Sequence, residues 1–416
     1  MTTWLDSGAR HVWRPYCQHE TAPPPLPVVS AHGARIVLAD GRELVDGIAS
    51  WWTAAHGYNH SHIAARVEEQ LRRLPHVAFG GLANEPAYAL CERLATMLAP
   101  LSRVFLVESG SVSVEVALKM AIQSWHNRGS ARRRIVCFSN AYHGDSFATM
   151  ALSDPVSGMH HAFSGMGIEA IHLPVPHAAD GGAFEEAFAA IAHEVAGVII
   201  EPLVQCAGGM LFHDAAALQR IRRACDATRT WLIFDEIATG FFRTGARFAL
   251  ERAGVMPDIV TLGKALTGGT LPLAAVVASE EVFACFLSSS SDHALQHGPT
   301  YMGNALACAA AHGSLDLFER ADFAEIVGRL EVALRECLTP LSSRPHVTAV
   351  RTLGAIGVVE MAPGTAPPSN VFAERGVFLR PLRLPHADVV YVMPPLTIGE
   401  GDRDLLFCAI DGVLDR

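Results

Sequence analysis

Short apolar runs alternate with helical stretches along the middle of the chain, and this alternation constrains the fold more than any other feature. Between about Arg103 and Ala278, five runs have the composition of β-strands: RVFLVE, RIVCF, GVIIEP, TWLIFDE and DIVTLG. Helical patterns begin between them near Val112, Ala183 and Ala215. Near-continuous apolar strands separated by helices predict an α/β fold with a mostly parallel sheet covered by helices. In such sheets ligands bind beyond the carboxyl ends of the strands.

The chain is long enough for more than one domain. Its 416 residues suggest two or three domains at about 150 residues each. Helical patterns in HIAARVEEQLRRL and PAYALCERLATML precede the alternating region, and strand patterns in HVTAVRTLG and VVYVMPP follow it. We predict a large domain over residues 61–314 and a small domain built from both termini, residues 1–60 and 315–416.

Charge and composition exclude several classes of protein. The formal net charge is −10, so no global positive field exists to hold nucleic acid or an anionic membrane. No signal-peptide pattern opens the chain, and no apolar run reaches the ~18 residues of a membrane span. Nine scattered cysteines without a C-x-x-C pair, and a histidine-rich HGYNHSH without metal-ligand spacing, predict neither a disulfide framework nor a metal site. We expect a cytoplasmic protein that acts on small molecules.

Lysine is almost absent from the chain. Of the 32 basic residues only Lys119 and Lys264 are lysines. Arginine stays protonated, whereas a buried lysine can lose its proton and become a nucleophilic amine. An ion pair with Glu115, four residues earlier on the same predicted helix, would explain Lys119. Lys264 directly follows the strand DIVTLG, among glycines at 263, 268 and 269 that let the backbone approach a ligand, although a surface lysine is the plain alternative.

Two further motifs lie where strands of the predicted sheet end. In ESGSVSVEVALKMA, Gly110 and Ser111 begin a predicted helix, where unpaired N–H groups and the helix dipole favour an anion such as phosphate. The alternative role for Ser111 is an ordinary helix N-cap. In WLIFDEIATGFFRTG, Asp235 and Glu236 end a strand, and a carboxylate there could hold a proton on a heteroaromatic nitrogen. The alternative is a helix cap, or an ion pair with one of the arginines at 243 and 247.

The three motifs together match the needs of pyridoxal phosphate. Its phosphate would bind at the helix start, its pyridine nitrogen would face Asp235, and its aldehyde carbon would bond to Lys264. The chain also resembles the class III, omega-type aminotransferases of the fold-type I pyridoxal phosphate-dependent transferases. FDE with LGKALTGG is typical of that class, whereas the WW pair and HGPTYMGNALACA resemble its biotin-pathway branch.

The resemblance implies a fold, an activity and a cofactor. The fold would be a large domain with a mostly parallel sheet, plus a small α+β domain from both termini. The activity would be ping-pong amino transfer from S-adenosylmethionine to 8-amino-7-oxononanoate in biotin biosynthesis, giving 7,8-diaminononanoate, with pyridoxal phosphate as cofactor. The alternative is another class III omega-aminotransferase, with lysine, ornithine or another omega-amine as donor. A non-catalytic protein on the same fold is a third hypothesis, which the retained Lys264 opposes.

The resemblance also implies a role for individual residues. Lys264, Asp235 and Tyr16 would be catalytic, and no metal would take part. Besides Lys264 and Asp235, the cofactor would contact Gly110, Ser111, Tyr142, Ile237, Pro299 and Thr300, the last from the other subunit of a homodimer. The substrates would contact Tyr16, Trp51, Trp52, Tyr142, Asp145, Gly298 and Arg380.

Four points of detail are left open by the sequence. Arg383 is a rival to Arg380 for a substrate carboxylate. If Trp51 and Trp52 lie on a strand, they point to opposite faces, so at most one of them meets the substrate. Phe242 replaces a glycine of the class, and the chain is longer than expected around residues 384–387.

Overall fold

The computed structural model describes residues 3–155, 158–163 and 165–415. The N-terminal part contains a short sheet and four helical segments. In chain order they are α1 (Thr3–Ala9), β1 (Val28–His32), β2 (Arg35–Leu38), β3 (Glu43–Asp46), α2 (Ala49–Trp52), α3 (Ser61–Arg73) and α4 (Glu85–Met97). The helices α3 and α4 coincide with the two helical patterns predicted ahead of the alternating region.

The central part alternates strands and helices, as the sequence predicted. Its elements are β4 (Arg103–Val107), α5 (Gly110–Asn127), β5 (Arg134–Phe138), α6 (Phe147–Leu152), β6 (Ala170–Leu173), α7 (Ala183–Ile191), β7 (Val195–Ile200), β8 (Val204–Gln205), β9 (Leu211–Phe212), α8 (Ala215–Thr228), β10 (Trp231–Asp235), α9 (Ala249–Ala253), β11 (Ile259–Leu262), β12 (Ala274–Ala278) and α10 (Glu280–Ala284). All five predicted strands are present. The strands β6, β8, β9 and β12 were not predicted.

The C-terminal part begins with two long helices and continues with a second small sheet. Its elements are α11 (Ala305–Arg320), α12 (Phe323–Leu338), β13 (Val347–Leu353), β14 (Ile356–Met361), α13 (Ser369–Ala373), β15 (Val377–Phe378), β16 (Leu382–Arg383), β17 (Asp388–Val392) and α14 (Glu400–Leu414). The longer stretch at residues 384–387 forms the turn between β16 and β17, closed by the N–H of Leu384 donating to the carbonyl of Ala387 at 2.9 Å.

A seven-stranded sheet organises the large central part. Its strand order is β4-β12-β11-β10-β7-β5-β6, and only β12 runs antiparallel to its neighbours. The carboxyl ends of β4, β5, β7, β10 and β11 therefore lie at one edge. The mostly parallel sheet predicted from the sequence is confirmed. Every residue of β7, β10 and β11 is buried, as expected for strands covered on both faces.

The two ends of the chain meet in the N-terminal sheet. Its strand order is β1-β2-β3-β15, so a strand from the C-terminal part completes a sheet begun by the first residues. Phe378 of β15 lies opposite Asp46 of β3 in parallel register. The strands β13, β14, β17 and β16 form a separate antiparallel sheet. The division of the chain at residues 60 and 314 stays a prediction.

The segment α2 is a single left-handed turn and not a strand. Ala49, Ser50, Trp51 and Trp52 have φ of 46°, 50°, 54° and 73°, four consecutive L-residues in the region that glycine favours. Each such residue costs roughly 1–2 kcal/mol relative to the right-handed conformation. We call Ala49–Trp52 the tryptophan turn. The expectation that Trp51 and Trp52 lie on a strand is wrong.

The described part of the chain has neither a candidate membrane span nor a candidate metal centre. None of its helices combines the length and the apolarity needed to cross a bilayer. Within the same ranges no group of three or more His, Cys, Asp or Glu side chains is placed to hold a metal ion.

Candidate active site

A cavity of about 190 Å³ opens beyond the carboxyl ends of the large sheet. It is lined by side chains that follow β4, β5, β7, β10 and β11, together with one residue of the tryptophan turn. The lining residues are Trp52, Ser109, Gly110, Ser111, Tyr142, His143, Gly144, Glu201, Asp235, Ile237, Ala238 and Lys264. The three motifs singled out in the sequence therefore meet in one cavity.

Lys264 lies just past the end of β11 in a strained backbone conformation. Its φ is 45°, and it begins a short 3-10 turn that extends to Thr267. The amine Nζ lies 4.3 Å from the centre of the Trp52 ring. Burial lowers the pKa of this amine, against the opposing influence of Cys206, Asp235 and Glu201. No carboxylate among the described residues forms an ion pair with Lys264, so burial is the main influence on the pKa of its amine.

Asp235 ends β10 and is held by three donors. His143 Nδ1 lies 2.7 Å from Oδ2, while Thr261 Oγ1 and the N–H of Ile237 each donate to Oδ1 at 3.2 Å. The carboxylate is 4% exposed. Burial disfavours the charged form of His143, but the hydrogen bond and charge of Asp235 outweigh this and raise the His143 pKa. The imidazole thus fixes the carboxylate as an acceptor at the base of the cavity.

Glu236, the neighbour of Asp235, points away from the cavity and caps α9. Its carboxylate accepts the N–H groups of Ala249 and Leu250 at 3.0 and 2.8 Å. Burial raises the pKa of Glu236 to about 7. The helix-cap alternative is therefore correct for Glu236 and wrong for Asp235. Neither carboxylate pairs with the nearby arginine Arg243, which donates to the carbonyl of Pro394 at 2.7 Å.

The start of α5 forms the predicted notch, although Ser111 does not cap the helix. The N-cap is Ser109, whose hydroxyl accepts the N–H of Val112 at 3.4 Å. Gly110 and Ser111 line the cavity just after this cap. A Cβ atom at Gly144 would lie 2.2 Å from Ser111 Oγ, so only glycine allows the loop after β5 to pass this close. The notch has the backbone N–H groups and the helix dipole that an anion requires.

A cluster of phenols and one carboxylate lies at the rim of the cavity. The hydroxyl of Tyr16 donates to Asp145 and lies 3.4 Å from the hydroxyl of Tyr142. The Tyr142 hydroxyl donates to Asp145 at 3.0 Å, and His160 Nε2 lies 2.9 Å from the same carboxylate. Burial raises the pKa of Asp145, but these partners outweigh it and lower the pKa overall. Asp145 is thus a charged group held at the mouth.

Arg380 and the tryptophan turn form the opposite side of the mouth. The guanidinium of Arg380 lies 4.8 Å from the Trp51 ring and 5.9 Å from the Tyr16 ring. Within the described chain no carboxylate pairs with Arg380. Arg383 instead pairs with Asp388 at 3.0 Å and donates to the carbonyl of Ala366 at 2.8 Å. Arg383 is therefore held in a structural ion pair, whereas Arg380 has no carboxylate partner in the described chain.

The loop that contains Gly298, Pro299 and Thr300 does not line the cavity of its own chain. Thr300 is exposed, and its carbonyl lies 3.0 Å from His76 Nε2. Lys119 contacts the preceding residues of this loop, at 3.3 Å from the carbonyl of Gln296 and 3.2 Å from His297 Nδ1. The predicted ion pair between Lys119 and Glu115 is therefore wrong. Glu115 instead accepts the Ser146 hydroxyl at 2.6 Å.

Two of the glycines near Lys264 serve packing and not ligand approach. A Cβ atom at Gly268 would lie 2.8 Å from Ile63, and one at Gly269 would lie 2.9 Å from Thr53 Oγ1. The expectation that this pair faces a ligand is wrong. Because these two glycines have no side chains, the turn that contains Lys264 packs closely against residues that follow the tryptophan turn.

Sequence reasoning missed two titratable groups of the cavity, His143 and Glu201. Glu201 follows β7 and accepts the N–H groups of Tyr142 and Cys206 at 3.1 and 3.0 Å. Burial raises its pKa to about 7. A signal existed for Glu201, because it ends an apolar strand in GVIIEP as Asp235 does in TWLIFDE. His143 gave no comparable signal, since its partner Asp235 is remote in sequence.

The residues present fit pyridoxal phosphate. His143 Nε2 is buried without a partner in the described chain, although Nδ1 is occupied by Asp235. The N–H groups at the start of α5 suit a phosphate, and Asp235 suits a protonated ring nitrogen. Tyr142 and Ile237 line the space between them. Lys264 supplies the amine that an aldehyde requires.

Comparisons with known proteins point the same way. The family model for class-III aminotransferases matches residues 16–414. The adenosylmethionine-8-amino-7-oxononanoate aminotransferase of Buchnera aphidicola subsp. Schizaphis graminum is 39% identical, over 98% of this chain and 96% of that protein.

Solved structures agree in fold. The aminotransferase of the same description from Methanocaldococcus jannaschii has a TM-score of 0.90 at 28% identity, covering 98% of each chain. An amine transaminase from an uncultivated Pseudomonas species, solved in its PLP-bound form, has a TM-score of 0.87 at 29% identity, covering 97% of this chain and 98% of that one.

Proposed function

The chain belongs to the class III aminotransferases, which are pyridoxal phosphate-dependent enzymes, and from this premise we propose that it transfers an amino group from S-adenosylmethionine to 8-amino-7-oxononanoate. The product would be 7,8-diaminononanoate, on the route to biotin. The observation that carries the proposal is the desolvated Lys264 amine, which shares one cavity with Asp235 and the start of α5. Relatives that share this chain's full length support the choice of substrates.

The chain's own residues would divide the work of the reaction. When bound, pyridoxal phosphate supplies an electrophilic carbon and a protonated ring that takes up an electron pair. Asp235, fixed by His143 and Thr261, would keep the proton on the ring nitrogen. Lys264 would take a proton from the donor's α-carbon in the first half-reaction and give a proton to the former carbonyl carbon of the acceptor in the second. Burial lowers the pKa of this amine, which suits it to act as a base. The N–H groups of Gly110 and Ser111 would anchor the phosphate.

The mouth of the cavity has the chemistry that both substrates require. A sulfonium donor is a cation, and the faces of Trp51, Trp52 and Tyr16 suit a cation. Asp145 would bind the ammonium of the donor. Arg380 would bind the acceptor carboxylate through parallel hydrogen bonds, since no carboxylate of the described chain occupies it.

We further propose a cytoplasmic homodimer in which Gly298, Pro299 and Thr300 complete the cofactor site of the partner. Thr300 is exposed and does not line the cavity of its own chain, which supports this arrangement. Lys119 would then stabilise the loop from the side of α5.

The proposal predicts a specific choice of amino donor. Addition of S-adenosylmethionine to the holoenzyme should convert the bound cofactor from its aldehyde form to its amino form. The conversion is measured as the loss of the visible absorption band of the aldehyde form. Lysine and ornithine at the same concentration should convert it at least about tenfold more slowly, because their side-chain ammonium groups are strongly hydrated and suit the tryptophan faces less well than a sulfonium. Faster conversion by lysine than by S-adenosylmethionine would instead support the alternative, a class III omega-aminotransferase with another amino donor.

The two arginines near the mouth should respond differently to the same change. Arg380→Ala should raise the KM for 8-amino-7-oxononanoate by roughly 10- to 100-fold, the range expected for loss of a charge-assisted hydrogen-bonded pair. Arg383→Ala is the matched control, because its guanidinium pairs with Asp388. It should lower the melting temperature and leave this KM within about threefold. Steady-state kinetics with the acceptor varied gives both values, and equal KM values for the two variants would contradict the assignment.

A further inference from the structure

We propose that Asp46 is a positioning residue for amino transfer, which acts by holding the tryptophan turn in its left-handed conformation. The inference rests on the proposed function for its kinetic meaning. Asp46 does not line the cavity. It ends β3, three residues before the turn begins, and only 1% of it is exposed.

The carboxylate of Asp46 accepts hydrogen bonds from the backbone of the tryptophan turn and from residues beside it. Oδ1 accepts the N–H of Ile48 at 2.9 Å, and Oδ2 accepts the N–H of Ser50 at 2.7 Å. The hydroxyl of Tyr58 donates to Oδ2 at 2.5 Å. No arginine or lysine of the described chain forms an ion pair with Asp46. A buried carboxyl group whose oxygens are met by backbone N–H groups and one phenol stabilises the backbone conformation that presents those groups.

The tryptophan turn places one indole ring inside the cavity and the other at its mouth. Trp52 covers the Lys264 amine at 4.3 Å, and Trp51 lies 4.8 Å from the guanidinium of Arg380. A right-handed or extended chain at these positions would turn both rings away, because the direction of a side chain follows φ and ψ. The hydrogen bonds of Asp46 therefore orient both rings: Trp52, which contacts the Lys264 amine, and Trp51, which contacts the arginine proposed to bind the substrate anion.

The far side of the turn is fixed independently, which isolates the contribution of Asp46. The N–H of Gly47 donates to the carbonyl of Phe378 at 3.0 Å, and the N–H of Met393 donates to the carbonyl of Gly47 at 2.8 Å. Loss of the Asp46 carboxylate should thus loosen the turn locally and leave β3 paired.

The test compares Asp46→Asn with Asp258→Asn in the holoenzyme. The Asp258 carboxylate also accepts a backbone N–H, from Leu232 at 2.7 Å, but it lies at the opposite edge of the large sheet, just before β11. Asp46→Asn should speed amide hydrogen exchange in the peptide that spans residues 47–53 and should lower kcat/KM for the acceptor about tenfold or more, mainly through KM. Asp258→Asn should change neither the exchange of that peptide nor the KM.

A rescue variant separates positioning from general stability. Glycine adopts a φ of +50° without support, so Ser50→Gly added to Asp46→Asn should recover at least half of the lost kcat/KM. Unchanged exchange in residues 47–53, an equal KM effect of Asp258→Asn, or absence of rescue would each overturn the proposal.

Tyr58→Phe gives a second route if Asp46→Asn does not fold. This substitution removes one hydrogen bond to Oδ2 of Asp46. It should speed amide hydrogen exchange in the peptide 47–53 and raise the KM for the acceptor about threefold. Wild-type values for both the exchange and the KM would also overturn the proposal. The exchange measurement needs no substrate. A wild type that shows no amino transfer from S-adenosylmethionine therefore refutes the proposed function, whereas the exchange data still decide whether Asp46 holds the turn.

Discussion

Lys264→Ala is expected to lower kcat by about 10⁴-fold or more, because it removes both the amine that bonds to the cofactor and the base that moves the proton. Burial lowers the pKa of Lys264 and the ring of Trp52 covers its Nζ, whereas Lys119, the other lysine, does not line the cavity. The measurement is turnover of S-adenosylmethionine and 8-amino-7-oxononanoate by a variant that still binds the cofactor.

The chain supplies its own control for this experiment. Lys119→Arg removes the other lysine amine but keeps a cation beside Gln296 and His297, and should retain kcat within about threefold. Borohydride reduction of the wild-type holoenzyme, followed by peptide mapping, should place the cofactor on the peptide that contains Lys264. A label on Lys119, or turnover in Lys264→Ala above about one hundredth of the wild type, would contradict the assignment.

Asp235→Asn should lower kcat by roughly 10²- to 10³-fold, the range for loss of one preorganised charge in an active site. Asparagine keeps the shape of the side chain and can still accept from Thr261 and Ile237. It carries no negative charge to keep a proton on the ring nitrogen, so the electron pair released at the α-carbon would be poorly stabilised. Single-turnover rates with S-adenosylmethionine would locate the defect in the proton-transfer step.

The adjacent carboxylate tests whether the effect is specific. Glu236→Gln replaces the neighbouring carboxyl group by an amide, at a side chain that caps α9 and does not line the cavity. It should lower the melting temperature and keep kcat within about threefold. If both variants lose activity equally, or if Asp235→Asn keeps more than about a tenth of kcat, the proposed role of Asp235 is wrong.

Much of the central fold and the floor of the site could be predicted from the sequence. The large sheet is built from runs such as TWLIFDE, whose apolar residues and β-branching identify a buried strand without knowledge of its neighbours. Because parallel strands end at one edge, polar residues that follow such runs meet in space, which is why Asp235 and Lys264 were found. The strand β12 was missed because three of its five residues are alanine, a residue depleted in strands.

The details that failed depend on contacts between remote residues. The i,i+4 spacing predicted an ion pair between Glu115 and Lys119. In the folded chain the Glu115 carboxylate instead accepts hydrogen bonds from the hydroxyl of Ser146 and the N–H of Ala148. Ser109 and Ser111 are equally good N-cap residues, and only the entry angle of the chain selects Ser109.

The tryptophan turn could not be anticipated for a similar reason. No residue from 49 to 52 is a glycine, so local propensity opposes the conformation that the structure has. Support comes from Asp46 and Tyr58, whose meeting is set by tertiary packing. The departure at Phe242 is similar: its φ is 67°, in the region open to the glycine that the class has there, while its ring packs on Phe318 and Phe323.

The pairing of β15 with β3 has a consequence for how the enzyme is made. The two strands are joined across about 330 residues, so β3 has no partner on that side until nearly the whole polypeptide has left the ribosome. All strands of the seven-stranded sheet, by contrast, emerge well before β15. The guanidinium that would recognise the acceptor is therefore the last part of the site to arrive, and a nascent chain can assemble the cofactor floor before it is able to discriminate between substrates.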